Sequence, residues 1–305
     1  MKFPLSKYIW FDGKLVPVNM AKVPVTTHAI HYGTSIFEGI RAYWNSKNLH
    51  VFRLKDHVKR FRNSGKFYNI KLNFSDRQIE NAVIDLCKKN KIKKSCYIRP
   101  FYFVGQYGIN FHVTQKAPTH TAIFAFPFGD LFNKSGITAT ISKWRKFSDM
   151  STPTQAKMGG NYLNSILATQ DAKQRGFDEA ILLDQSGNVS EAPGENIFLV
   201  KNNKLVTPSL SSSALDGITR RSIITLAKDM KLKIKTQKVS KKELKMADEI
   251  FLSGTAAEIT PVIKIDKKKI GEGKVGNITK LFMDTYSNIV MNKNENYSHW
   301  LTMVY

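Results

Sequence analysis

Thr154-Gln155-Ala156-Lys157-Met158-Gly159-Gly160-Asn161-Tyr162 sets one lysine just before two glycines and the start of an amphipathic helix. The diglycine lets the backbone pass close to something bulky. A lysine held there can lose solvation and act as an amine nucleophile or base. Read alone, the stretch is better explained as a surface turn, because glycine and asparagine are the usual turn formers. The company it keeps along the chain separates these readings.

Downstream, the pattern predicts a helix over 161–175, with Leu163, Ile166 and Leu167 at helical spacing and Gly176 as its stop. Strands are expected over 179–184 and 196–200. The intervening Ser190-Glu191-Ala192-Pro193-Gly194-Glu195-Asn196 is too polar for a strand interior. Gly217-Ile218-Thr219-Arg220-Arg221 opens a helix reaching about 230, and Ser240-x-x-Glu243 is a capping box. A strand over 250–253 runs into Gly254-Thr255-Ala256-Ala257-Glu258, a small-residue turn read as offering free amides. Gly271-x-Gly273-x-x-Gly276 matches a dinucleotide fingerprint by letter. It follows a lysine-rich turn instead of a buried strand, so it is set aside.

Upstream, residues 9–16 read as a hairpin turned at Asp12-Gly13. His31-Tyr32-Gly33-Thr34-Ser35-Ile36-Phe37-Glu38-Gly39-Ile40-Arg41-Ala42-Tyr43 is dense in glycine, aromatic and polar groups, as expected of a loop and strand lining a cavity. A strand over 49–53 precedes a basic helix over 55–67 that carries Arg60 and Arg62. A second helix over 75–90 takes Ser75 as N-cap and sets Ile79, Val83 and Leu86 on one face. In the strand over 97–104, period two puts Tyr97 and Arg99 on one side. An arginine among so many apolar residues is costly to bury without an anion. After a strand over 121–128, residues 129–136 have the polarity of a linker. The expected division is a smaller α/β domain over 1–128 and a larger domain over 137–305.

Composition bounds the answer. The 305 residues suffice for two domains, and 42% hydrophobic content is that of a globular protein. No run approaches a membrane span, and the first residues lack the apolar core of a signal peptide. Cys87 and Cys96 are the only cysteines, too few for a disulfide framework or a zinc site. A reducing cytoplasm is the expected compartment. The formal charge of +23 raises nucleic-acid binding as a rival. Its lysines, however, are spread along the chain in short groups such as Lys88-Lys89-Asn90-Lys91, without any nucleic-acid-binding motif. Such a field speaks to solubility and to anionic small molecules more than to fold.

The pieces in this order resemble the branched-chain amino acid aminotransferases, class IV enzymes of fold type IV that use pyridoxal 5′-phosphate. The likeness runs through His31 to Arg41, Tyr97-Ile98-Arg99-Pro100, the Lys157 stretch, Ser190-Glu191 and Gly194-Glu195-Asn196. It continues in Gly217-Ile218-Thr219-Arg220 and in Ser253 to Pro261, nearly the whole length. The resemblance implies a two-domain α/β fold of mixed α+β character, like that of D-amino acid aminotransferase, with the active site between the domains. It implies reversible amino transfer between L-leucine, L-isoleucine or L-valine and 2-oxoglutarate, and at least a homodimer whose sites borrow loops from a partner subunit. Neither a metal, nor nucleic acid, nor a membrane is expected.

It also implies roles. Lys157 would hold the cofactor as a Schiff base and shuttle the proton, and Glu191 would pair with the pyridine nitrogen. Tyr162 would bond the 3′ oxygen. Arg60, Ile218, Thr219 and Thr255 would hold the phosphate. Substrate would lie among Phe37, Tyr97, Arg99, Thr255 and Ala256, with Tyr32 as a further donor. The chain departs from the pattern at Ala192-Pro193, Asp216, Phe128 and Leu131. The last two bear on the side-chain pocket. Within the same fold, a D-amino acid aminotransferase or an aminodeoxychorismate lyase would share the lysine and glutamate.

Overall fold

The computed structural model describes residues 6–305. Residues 1–5, read above as lacking a signal-peptide core, lie outside the described residues. The described chain divides into two compact units. The first takes the described residues up to Gly129, together with Ala156–Gly160 and Asn288–Tyr305; the second takes Asp130–Gln155 and Asn161–Ser287. The expected division places all of 137–305 in one domain. The lysine stretch and the C-terminal segment instead make their contacts with the first unit, through bonds of high sequence separation that composition does not display.

The first unit is built on an antiparallel sheet. Its order is Leu301–Met303, Leu49–Phe52, Ile40–Trp44, Cys96–Val104, Thr119–Pro127, Tyr8–Phe11 and Lys14–Pro17, with Ser35–Phe37 also paired to Cys96–Val104. Helices Leu54–Lys66 and Asp76–Lys89 contribute Leu54, Val58, Phe61, Ile79, Val83 and Leu86 to the core, which the sheet enters through Ile98 and Tyr102. Ser75 caps the second helix in a full capping box with Gln78.

Pro100 lies in the middle of the longest stretch of this sheet, where a proline is normally excluded. The register explains it. Ser35–Phe37 pairs with residues 101–103 and Ile40–Trp44 with residues 96–98, so the ladder breaks opposite Pro100. Its carbonyl accepts from Glu38 N–H at 2.8 Å, which shows that the missing donor faces this break. The break is what turns Glu38 and Gly39 out of the ladder.

The second unit has a mixed sheet in the order Ile234–Gln237, Lys204–Pro208, Asn196–Lys201, Glu249–Gly254, Glu258–Ile265, Ile137–Arg145 and Glu179–Leu183. Parallel neighbours need long crossovers. Helix Ile218–Asp229 supplies one between Lys204–Pro208 and Ile234–Gln237, and Tyr162–Gln174 lies between Ile137–Arg145 and Glu179–Leu183. Phe198 and Phe251 stack at 5.1 Å in its interior.

The helix Tyr162–Gln174 turns its large apolar side chains outward. Leu163, Ile166 and Leu167 are exposed, and the buried face is Asn164, Ser165, Ala168, Asp171 and Ala172. Small side chains let this helix lie close to Ala180 and Leu182. An apolar stripe shows that a helix has two unlike faces, and here the leucines are on the outer one. The glycine-rich Gly271 to Gly276 segment forms a turn.

Candidate functional site

In the first unit, Lys157 is stitched into the sheet edge. Its carbonyl accepts from Phe37 N–H at 3.1 Å, and its own N–H donates to Ser64 Oγ at 3.0 Å. Met158 bridges to Ile36. The two glycines serve close approach. A Cβ on Gly159 would stand 2.3 Å from Ser35 Oγ, and Gly160 lies against Gly33. A surface turn carries no such ties, and the backbone of Lys157 is fixed.

Its side chain ends above an aromatic ring. Lys157 Nζ is 4.7 Å from the centroid of Phe37, and the Arg99 guanidinium is 4.6 Å from the same centroid. Arg99 and Tyr97 share a strand face as period two predicted, with Arg99 Nη2 donating to the Tyr97 hydroxyl at 3.0 Å. The Tyr97 hydroxyl can come in over Gly39 because that residue has no Cβ, which would otherwise sit 1.9 Å from the oxygen. Arg99 Nε is buried without a hydrogen-bond partner. Phe126 stacks on Tyr97 at 5.4 Å and Phe128 leans on it at 5.5 Å. The departure noted at Phe128 therefore falls on the aromatic wall beside Arg99.

Arg60 is held by an acid that the sequence reading left unassigned. Its Nε and Nη2 donate to Glu38 Oε1 and Oε2 at 2.6 and 2.9 Å, and His57 Nδ1 lies 2.8 Å from Oε2. Burial pushes the Glu38 carboxyl up, but Arg60 and His57 outweigh it and hold the group far below the usual carboxylate range. Burial lowers His57 despite the carboxylate beside it. Tyr32 does not join Phe37, Tyr97 and Arg99. It is partly exposed on the short helix His28–Tyr32, and its ring meets His28 and Phe111.

In the second unit, Glu191 is buried and fully oriented. Oε2 accepts from Asn196 Nδ2 at 3.1 Å and Leu215 N–H at 2.9 Å, while Oε1 meets Lys146 Nζ at 2.6 Å. Asn196 Nδ2 also donates to the Leu215 carbonyl at 2.8 Å. Gly217 is required by this arrangement, since a Cβ there would come within 2.0 Å of Asn196 Oδ1. Ile218 and Thr219 begin the helix Ile218–Asp229, whose N-terminus has no side-chain cap. Its first amides are a ready anion site. Ser253, register partner of Asn196, keeps a buried hydroxyl without a partner. Thr255 and Ala256 lie in the turn closing the Glu249–Gly254 and Glu258–Ile265 hairpin. Tyr162 is the first residue of its helix and is half-buried.

Lys146, Asn196, Glu38 and His57 were not found by sequence reasoning. Asn196 belongs to a quoted motif and could have been picked out as a candidate partner for Glu191. Lys146 has no signal that sets it apart from the other lysines.

A buried, oriented carboxylate, an uncapped helix N-terminus and an orphaned hydroxyl are gathered in one unit through Asn196 and Gly217. They suit a ligand with a ring nitrogen and a phosphate. The comparisons agree. Residues 35–265 match the model of the amino-transferase class IV family. The branched-chain-amino-acid aminotransferase of Escherichia coli (strain K12) is 42% identical over 303 residues, 98% of each chain. A branched-chain aminotransferase of Thermoproteus uzoniensis solved with norvaline superposes with a TM-score of 0.95 at 41% identity, covering 98% of this chain and 100% of that one. The branched-chain amino acid aminotransferase of Thermobaculum terrenum, solved in its PLP-form, gives 0.93 at 33% identity, over 99% of each chain. With the match spanning both units and nearly every residue of these relatives, the chain belongs to the amino-transferase class IV family, among its branched-chain-amino-acid aminotransferases.

Proposed function

We infer that the chain moves the amino group between L-leucine, L-isoleucine or L-valine and 2-oxoglutarate, using pyridoxal 5′-phosphate. The observation that carries this is Phe37, an apolar ring with Lys157 Nζ at 4.7 Å and the Arg99 guanidinium at 4.6 Å. The reaction must accept an apolar side chain and then an anionic one at the same amine. A ring wall beside a charge with an orphaned Nε meets both demands.

Bound pyridoxal 5′-phosphate supplies an electron sink for charge developing at the substrate Cα. Lys157 Nζ would anchor it and, once freed by the substrate amine, would carry the proton at the substrate Cα. Glu191 would keep the ring nitrogen protonated, and Tyr162 would bond the 3′ oxygen. Arg60, the amides of Ile218 and Thr219, and Thr255 would hold the phosphate. Thr255 and Ala256 take the α-carboxylate, Phe37 and Tyr97 line the side-chain wall, and Arg99 receives the second carboxylate. Tyr32, which lies apart from this group within its own chain, would serve as a donor to the site of a second copy. We place the enzyme in the cytoplasm as at least a homodimer; apolar side chains left in solvent, such as Ile109 and Phe111, support association. Among the described residues no helix is long and apolar enough to cross a membrane.

The test is the visible spectrum of purified protein during additions of L-leucine, L-glutamate and their D-enantiomers. Bleaching of the cofactor band by both L-forms is expected. Response to the D-forms alone would establish a D-amino acid aminotransferase instead.

Arg99→Met separates the two half-reactions. Removing one partner of a buried charge pair costs about 3–5 kcal/mol, roughly a hundred-fold to several thousand-fold. Loss of an apolar contact costs about 1–3 kcal/mol. Single-turnover rates with L-glutamate should collapse while those with L-leucine change little. Equal losses would move Arg99 to the α-carboxylate common to both.

Gly217→Ala probes the support of Glu191. The backbone there has φ −66°, so alanine is not strained, but its Cβ must displace Asn196. A hydrogen bond to a charged group is worth about 1.5–3 kcal/mol. Cofactor affinity of the apoprotein, followed by fluorescence titration, should therefore fall by up to about tenfold, the lower end of that range. Unchanged affinity would show that Asn196 does not hold the glutamate in its working position.

A further inference from the structure

Glu38 is fully buried and accepts four hydrogen bonds, from His57, twice from Arg60, and from Gly39 N–H at 3.3 Å. A fold gains little from such a cluster, because a buried ion pair is often no more stabilising than apolar side chains of the same volume. Its bonds lead somewhere specific. Phe37, the residue before Glu38, donates its N–H to the Lys157 carbonyl. On the other side, the Arg60 carbonyl accepts from Ser64 Oγ at 2.9 Å, and the same Oγ accepts the Lys157 N–H. The path from Glu38 through Arg60, Ser64, Lys157 and Phe37 closes on itself within one unit.

We propose that Glu38 is a positioning residue that holds the Arg60 fork in fixed register with Lys157, so that the phosphate grip and the covalent anchor are set at one spacing. The proposal rests on the reading of Arg60 as a phosphate ligand. The carboxylate takes Nε and Nη2 of the guanidinium, which leaves the plane of the fork no freedom to turn. Arg60 thereby acts as a directed donor whose charge is already balanced by Glu38. A purely structural role for Glu38 would make no distinction between ligands with and without a phosphate.

That distinction is the test. The apoprotein is titrated with pyridoxal 5′-phosphate and with pyridoxal, and affinity is read by fluorescence. Glu38→Gln should weaken binding of the phosphorylated form about 30-fold, the scale of one hydrogen bond to a charged group. Pyridoxal should bind within about twofold of wild type. Glu38→Asp keeps the charge but withdraws the carboxylate, and should show the same selective loss. It decides the matter if melting curves show that the glutamine variant does not fold. Ser64→Ala, which loosens the lysine end of the path, should weaken both ligands alike. Two results overturn the proposal: equal weakening of both ligands in the Glu38 variants, or no weakening in them while Arg60→Met abolishes the preference for the phosphate. Arg60→Met with the preference intact would instead overturn the reading of Arg60, and the proposal with it.

Discussion

Lys157→Ala is expected to lower turnover with L-leucine and 2-oxoglutarate by at least about 10,000-fold while leaving the fold intact. Two functions leave together. The covalent anchor goes, and so does the amine that carries the proton at the substrate Cα. Effects of groups that act as a unit are not additive, so adding a soluble amine should restore only a small part of the rate. The structure gives reason to choose this lysine among so many. Its backbone is tied on both sides, to Phe37 and Ser64, and its Nζ is set over the Phe37 ring. Those backbone bonds do not use the side chain, so the alanine variant should melt close to wild type. Borohydride reduction followed by peptide mapping must place the cofactor adduct on Lys157. An adduct on another lysine, or turnover within a hundredfold of wild type, would remove Lys157 from its role.

Much of this site was legible because its signals are local. Period two was enough to put Arg99 beside Tyr97, and the hydrogen bond between them follows from that register. The glycine opening the helix at Ile218 announced an N-terminus fit for an anion. The N-cap at Ser75 and the capping box at Ser240 marked true helix starts. What could not be read was which distant side chains meet. Glu38 reaches Arg60 across 22 residues and His57 across 19, on different elements, and only the break opposite Pro100 turns it toward them. Lys146 is one cation in a chain of 47 lysines and arginines, and nothing local marks it as the partner of Glu191. The outward leucines of Tyr162–Gln174 show the complementary failure. Spacing reveals that a stripe exists, while burial depends on the size of what faces the sheet.

Glu191→Gln should slow the single-turnover half-reaction with L-leucine by about a thousandfold, far more than it weakens the cofactor. The hydrogen bonds around the carboxylate predict how the amide will sit. Asn196 Nδ2 and Leu215 N–H are both donors, and both point at Oε2. The glutamine oxygen must take that place, since an amide nitrogen there would face two donors. Its NH₂ then occupies the position of Oε1, opposite Lys146 Nζ. The Oε1 position thereby changes from acceptor to donor toward Lys146, and the amide no longer carries the charge that would keep the ring nitrogen protonated. The substitution thus reverses the hydrogen-bond polarity as well as removing a charge. Loss of one preorganised electrostatic partner typically costs about 100- to 1,000-fold in rate. The reversal puts this case at the upper end. Cofactor affinity should fall only about tenfold, because the covalent link and the phosphate contacts persist. Lys146, left without its anion, should lower the melting temperature as well. Adding Lys146→Met to the variant separates the two effects: it should restore the melting temperature without restoring the rate. Recovery of both together would show that Glu191 acts as the structural partner of Lys146 and has no part in the chemistry.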